Sequence, residues 1–275
     1  MIMMNQNIEE GAIQLDNQGI QVRILAPGGR FQVTDKVSGA VWSMRAGNSS
    51  GAVSLQEADQ EIEYKFGSKQ GVLFTENYYM TRSTDTEDFH DVSLTGSLCD
   101  DQETKITIRY LLSTTFPVLN CYCYASGKRC DQVQKIQFPL GFRLADGEGN
   151  NIWLPRDVKQ LQSDGSDQSV ALFQPPPEEN HRAAGAPFFI LTRRDSERQA
   201  CGCIGYLQHP LSLLDVIREK NNRYATPLST KLDVTGKIER NPYYFRYQFV
   251  PSDDPDALSW LYREYLLQQE SSFQL

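Results

Sequence analysis

Histidine is scarce in this chain of 275 residues, with three in all, so each can be weighed singly as a proton carrier near neutral pH. His90 sits in the densest acidic stretch, Asp85-Thr-Glu-Asp-Phe-His-Asp91, between carboxylates. His181 lies in a proline-rich excursion, and His209 precedes Pro210 at a strand end. An imidazole beside a carboxylate is a general acid–base pair. His90 and His181 are therefore candidates for proton transfer, set against ordinary surface or hydrogen-bonded histidines. The acidic stretch reads either as a hard-oxygen calcium loop or as a solvated turn entering a strand. Its spacing follows no EF-hand pattern, and the turn is favoured.

Aromatic residues beside polar ones carry a second chemistry. Trp153-Leu-Pro-Arg156-Asp157 follows a turn cluster; Trp153 offers a flat stacking face, and Arg156 or Asp157 a hydrogen-bonding group. That combination suits a sugar ring. Tyr79 with Tyr78, and the pair Tyr243-Tyr244, are further stacking candidates, although one of two adjacent aromatics on a strand usually faces the core. Glycoside hydrolysis needs two carboxylates in register across a substrate, and 35 Asp and Glu residues single out no pair.

Six cysteines include two C-x-C pairs, Cys121/Cys123 and Cys201/Cys203, each inside an apolar run. Residues i and i+2 share one strand face, so both sulfurs of a pair point the same way. Soft-metal binding is weighed here against buried thiols. With no histidine close by and no C-x-x-C, thiols are favoured and no metal is expected. No dinucleotide loop, Walker A, nucleophile elbow or H-E-x-x-H pattern occurs, so no cofactor is expected either. Reduced thiols imply a reducing, cytoplasmic setting. Met1–Glu10 lacks the basic and apolar regions of a secretory signal, which agrees with that expectation.

The formal net charge of −8 disfavours nucleic acid as a partner, since phosphate binding needs a concentrated basic surface. The compact cluster Arg193-Arg194 with Arg198 is broken by Asp195 and Glu197. No run approaches the ~20 apolar residues that cross a bilayer, so a soluble chain is expected. A neutral sugar, held by hydrogen bonds and stacking, is compatible with an acidic surface.

Short alternating runs must position these groups. Ile20, Val22 and Ile24 take one face of a strand while Gln21 and Arg23 take the other, after an Asn17-Gln-Gly19 turn. Further strand candidates run through 61–66, 71–79, 89–98, 104–112, 118–125 and 133–138. Later ones cover 170–174, 187–192, 200–207, 229–234 and 243–250. More than ten short strands between polar turns predict an all-β fold, a large antiparallel β-sandwich. The period changes at the end. Ser252-Asp-Asp-Pro255 is a helix start, and Leu258, Leu261, Tyr262, Tyr265 and Leu266 recur at helical spacing. The expected organisation is a sandwich over residues 1–251 and a C-terminal amphipathic helix over 252–270 packed on it.

The two ends together resemble a known family. Gln14-Leu-Asp-Asn-Gln-Gly-Ile-Gln-Val-Arg23 and Gly29-Arg-Phe-Gln-Val-Thr-Asp-Lys-Val-Ser-Gly-Ala-Val-Trp42 resemble the first hairpins of a β-supersandwich. That galactose mutarotase-like domain precedes the barrel in glycoside hydrolases related to endo-α-N-acetylgalactosaminidases. Tyr243-Tyr-Phe-Arg-Tyr-Gln-Phe249 and Ala257-Leu-Ser-Trp-Leu-Tyr-Arg-Glu-Tyr-Leu266 resemble its exit strand and linking helix. The resemblance implies a carbohydrate-binding or structural module of a glycoside-hydrolase-like protein, not catalytic alone. Its helix would dock a second catalytic domain or another copy of the chain. No catalytic carboxylate of that family carries over to a residue here. The alternative is a free-standing mutarotase or epimerase-like enzyme. Supersandwich mutarotases use His/Glu acid–base chemistry, for which Glu76, His90 and His181 are the candidate trio.

Overall fold

Alternation of apolar and polar residues builds most of the long strands among the described residues. The computed structural model describes residues 12–44, 51–84, 87–140, 142–144, 150–153, 168–174, 184–185, 188–193, 199–207, 214–219, 223–225, 227–231 and 243–272. The first strands are β1 (Ala12–Asp16), β2 (Ile20–Leu25), β3 (Arg30–Asp35), β4 (Val41–Met44), β5 (Ala52–Glu57) and β6 (Gln60–Lys65). The long central strands follow: β7 (Val72–Ser83), β8 (Asp88–Leu98), β9 (Asp101–Ser113), β10 (Val118–Ser126) and β11 (Val133–Leu140). Then come β12 (Phe142–Leu144), β13 (Asn150–Trp153), β14 (Gln168–Gln174), β15 (Ala184–Gly185) and β16 (Phe188–Arg193). The last are β17 (Cys201–Leu207), β18 (Leu214–Glu219), β19 (Arg223–Ala225), β20 (Pro227–Lys231) and β21 (Tyr243–Val250), before helix α1 (Pro255–Ser272).

One eight-stranded antiparallel sheet, in the order β13-β16-β17-β21-β10-β9-β8-β7, dominates the molecule. Its inner face packs on a five-stranded sheet, β1-β2-β3-β4-β12, and on a four-stranded sheet, β20-β11-β5-β6. A further four strands pair as β15-β14-β18-β19. The large antiparallel sandwich with a single C-terminal helix expected from the sequence is what forms.

The core is one continuous cluster between these sheets. Phe31 meets Tyr110 edge-on at 5.6 Å and Trp42 lies 6.1 Å from Phe249, so aromatic rings fill the gap between layers. All four C-x-C sulfurs belong to this inner cluster, which explains their spacing as core alternation. Burial pushes the Cys121, Cys123 and Cys203 thiols well up. None of the six cysteines is joined in a disulfide.

Close packing fixes one turn tightly. Gly29 has a φ of 67°, and a Cβ there would come within 2.5 Å of Ile108 Cδ1. Its carbonyl accepts the hydroxyl of buried Tyr110, joining the β2–β3 turn to the middle of the large sheet. Helix α1 starts as its residues require: Pro255 is its first residue, and Asp254 Oδ1 accepts the Asp256 N–H at 3.0 Å. Its apolar side then covers Ile190, Ile204 and Tyr206 on the outer face of β16 and β17.

Candidate functional site

The outer face of the large sheet is split into two parts. Helix α1 lies over β16 and β17, with Tyr262 packed between Phe188 (4.9 Å) and Tyr206 (5.3 Å). Across β10, β9, β8 and β7 the same face carries polar and aromatic residues in register. One row reads Tyr122, Arg109, Ser93, Tyr78, and the next reads Asn120, Leu111, Asp91, Met80. A third reads Tyr124, Thr107, Thr95, Glu76. Alternation explains the selection: Ile106, Ile108, Tyr110 and Leu112 of β9 face the core, so Thr107 and Arg109 face outward.

Arg109 and Asp91 are the fixed centre of this surface. Arg109 Nε donates to Asp91 Oδ1 at 2.9 Å, and Nη2 donates to Oδ2, a two-pronged pairing. Asp91 is only 2% exposed, and its bonding raises the pKa of Arg109. Lys105 Nζ pairs with Glu76 Oε1 at 3.2 Å. The two ion pairs cancel, so this stretch is locally neutral on an acidic chain. Thr95 and Thr107 hydroxyls bond at 3.1 Å between them.

Tyrosines flank the pairs. Tyr78 is 62% exposed at the β7 edge, while Tyr122 and Tyr124 are half-buried on β10. Next to Tyr122, the register sets Asn120 beside Arg246 of β21. Asn120 is buried and its Oδ1 has no hydrogen-bond partner among the described residues, an acceptor turned to the outer side. Arg246 bonds the Tyr206 hydroxyl and lies 6.0 Å from the Tyr265 ring, joining the polar rows to the helix. Such a surface can stack a ring, donate through Arg109 and accept at a carboxylate or amide oxygen, without a net field.

The residues singled out by sequence are distributed differently. Tyr79 and His90 are brought together: the Tyr79 hydroxyl lies 3.0 Å from His90 Nδ1, and the rings stack at 6.2 Å. Both are on the inner side of the sheet, at the end of the β7–β8 hairpin. Glu76 pairs in register with Thr95 whereas His90 pairs with Thr81, so Glu76 is on the opposite face. Five register steps, about 16 Å, separate them along the strands. The backbone of Trp153 ends β13, an edge strand of the large sheet. His181, Arg156 and Asp157 lie outside the described residues. The rows on β8–β10 were missed in sequence. Alternation marks Arg109 and the tyrosines as outward, but only strand pairing reveals that they adjoin.

No protein-family model matches the chain, and no curated protein matches it. Solved structures do. The chain resembles the α-N-acetylgalactosaminidase NagBb of Bifidobacterium bifidum in its GalNAc complex, with a TM-score of 0.67 and 14% identity. That match covers 94% of this chain and 39% of the other. The GH36 α-galactosidase AgaB of Geobacillus stearothermophilus matches with a TM-score of 0.53 and 8% identity, over 92% of this chain and 41% of its own. The α-galactosidase of Lactobacillus brevis gives 0.51 and 8% over the same shares. The chain thus spans about two-fifths of the length of the structures it matches. What is shared is the fold, a β-sandwich found in glycoside hydrolase chains.

Proposed function

We propose that this chain is a non-catalytic, carbohydrate-binding module of a glycoside-hydrolase-like protein, holding a neutral sugar on the outer face of the large sheet. The observation that carries this reading is the row Tyr122–Arg109–Ser93–Tyr78, anchored by the Arg109–Asp91 pair. Aromatic rings supply stacking, and a pre-bonded guanidinium supplies directed donors without a net charge. Fold likeness to an α-N-acetylgalactosaminidase and to α-galactosidases directs the choice of ligand toward galactose-type sugars. Helix α1 belongs to the same reading as a docking element for a catalytic domain. Trp260 on its outward side is 56% exposed, with Arg263 5.0 Å from its ring. Cysteines outside any disulfide support a reducing, cytoplasmic setting.

The test is a calorimetric titration with N-acetylgalactosamine and α-galactosides, repeated on Tyr78→Ala and Tyr122→Ala. Each variant is expected to weaken binding by roughly threefold to tenfold, the usual worth of one stacked ring. Absence of binding to every sugar of the panel by the folded wild-type chain would overturn the proposal.

A second reading, an enzyme that interconverts sugar anomers, draws support from the Tyr79–His90 hydrogen bond. In that reading the phenol and imidazole share the proton work. Acceleration of anomer exchange seen by NMR, and lost in His90→Ala, would favour it over the binding module.

A further inference from the structure

Strand β7 ends the large sheet, and from Thr75 to Ser83 it is exposed or half-buried on both faces. Its hydrogen-bonding edge can be assigned from the Thr84–Glu87 pair beyond it. Thr84 N donates to Glu87 O at 2.9 Å, which makes that pair a hydrogen-bonded one. Register is uninterrupted from Ser83↔Asp88 back to Glu76↔Thr95, so bonded and non-bonded pairs alternate along it. Arg82, Met80 and Tyr78 therefore bond to β8, and Asn77, Tyr79, Thr81 and Ser83 direct N–H and C=O to the open side. No strand among the described residues takes them up. Edges of this length are normally guarded by proline, lysine or a bulge. Here the bulge lies before Glu76, and nothing after it interrupts the edge.

We propose that this edge pairs with the same edge of a second copy of the chain, antiparallel about a two-fold axis at Tyr79. Charge placement singles out that register. Glu76 and Arg82 share the outer face and stand equally far from Tyr79, so each Glu76 falls opposite Arg82 of the second copy. The contact occurs twice by symmetry. Tyr78, 62% exposed, falls opposite Met80, 39% exposed, also twice, an aromatic–thioether contact. On the inner face Asn77 meets Thr81. Tyr79 meets its own copy, whose outward N–H and C=O exchange two backbone bonds with it. Moving the axis one residue either way sets Glu76 against Met80 or Thr84 and loses both charge pairs. The paired edges would merge two large sheets into one and run their outer faces together. The dimer shares Tyr78 with the proposed sugar surface but needs no sugar to form.

Sedimentation velocity over a concentration series, without sugar, tests it. The wild-type chain is expected to associate reversibly to twice its mass, with the Tyr79 and Thr81 amides slowed in hydrogen exchange as concentration rises. Thr81→Pro removes an outward N–H and no bond to β8, so it should leave a folded monomer. Arg82→Glu should weaken association by about tenfold through two repulsive contacts. Adding Glu76→Arg to it should restore association, an outcome that a merely structural role would not produce. A wild-type monomer at every concentration would overturn the proposal. So would a dimer that ignores both charge reversals, or one abolished instead by Trp260→Ser on the helix.

Discussion

Arg109 and Asp91 decide how much of the outer face is rigid before any ligand arrives. Asp91 is buried, so its carboxylate cannot turn to water if Arg109 is lost. Arg109→Met should therefore cost about 2–4 kcal/mol, because it leaves a buried carboxylate unpaired. The double variant Arg109→Met/Asp91→Leu should recover most of that loss, since the stranded charge is gone. Urea unfolding of the two proteins checks this; equal losses in both would show that the pair is not the cause. Half of this site was legible in the sequence. Arg109 stands between Ile108 and Tyr110, and alternation alone turns it outward. Its partner was not legible, because Asp91 belongs to a neighbouring strand and register is set by the fold. Trp153 drew attention by its type, whereas the less conspicuous tyrosines on β10 lie beside the ion pair.

Among the elements, helix α1 has packing that turns on a missing side chain. A Cβ at Gly202 would stand 2.5 Å from the Ser252 carbonyl oxygen and 2.8 Å from Leu258 Cδ2. Both belong to the segment that seats the helix, and Leu258 is fully buried. Gly202→Ala should push the helix start off β17 while leaving the strands paired. The expected readout is faster hydrogen exchange confined to 255–272 and a changed Trp260 fluorescence; unchanged exchange there would mean that the seat yields without cost. The helix was plain in the sequence because its cap, its proline and its apolar spacing agree. Strand β5 was not seen. Ala52, Val53, Ser54 and Leu55 are buried without a break, so the two-residue alternation that betrays a one-sided strand is absent.

At the scale of the whole molecule, buried acids make stability fall on the alkaline side. Burial raises the thiols of Cys121, Cys123 and Cys203 above their ordinary 9.0, and pushes the Tyr262 phenol from 10.0 up to about 12. Tyr206 shifts up by the same cause. In the unfolded chain these groups release protons first, so the native state binds more of them in between. Their stabilisation is thus complete below about pH 9 and is lost as pH rises toward the native values. The melting temperature should fall from about pH 9 upward, and less steeply in Tyr262→Phe; a flat profile to about pH 11 would refute the assignment. The sandwich class was readable from strand count and turns, but the order of strands was not. Val118 pairs with Gln248, and no local pattern announces a partner that far along the chain. That placement of β21, between β10 and β17, bears on how the protein is made. On the ribosome, the central sheet stays in two pieces until Tyr243–Val250 has emerged. Until then each piece exposes a bare apolar strand, and such unpaired edges make a nascent chain prone to aggregate.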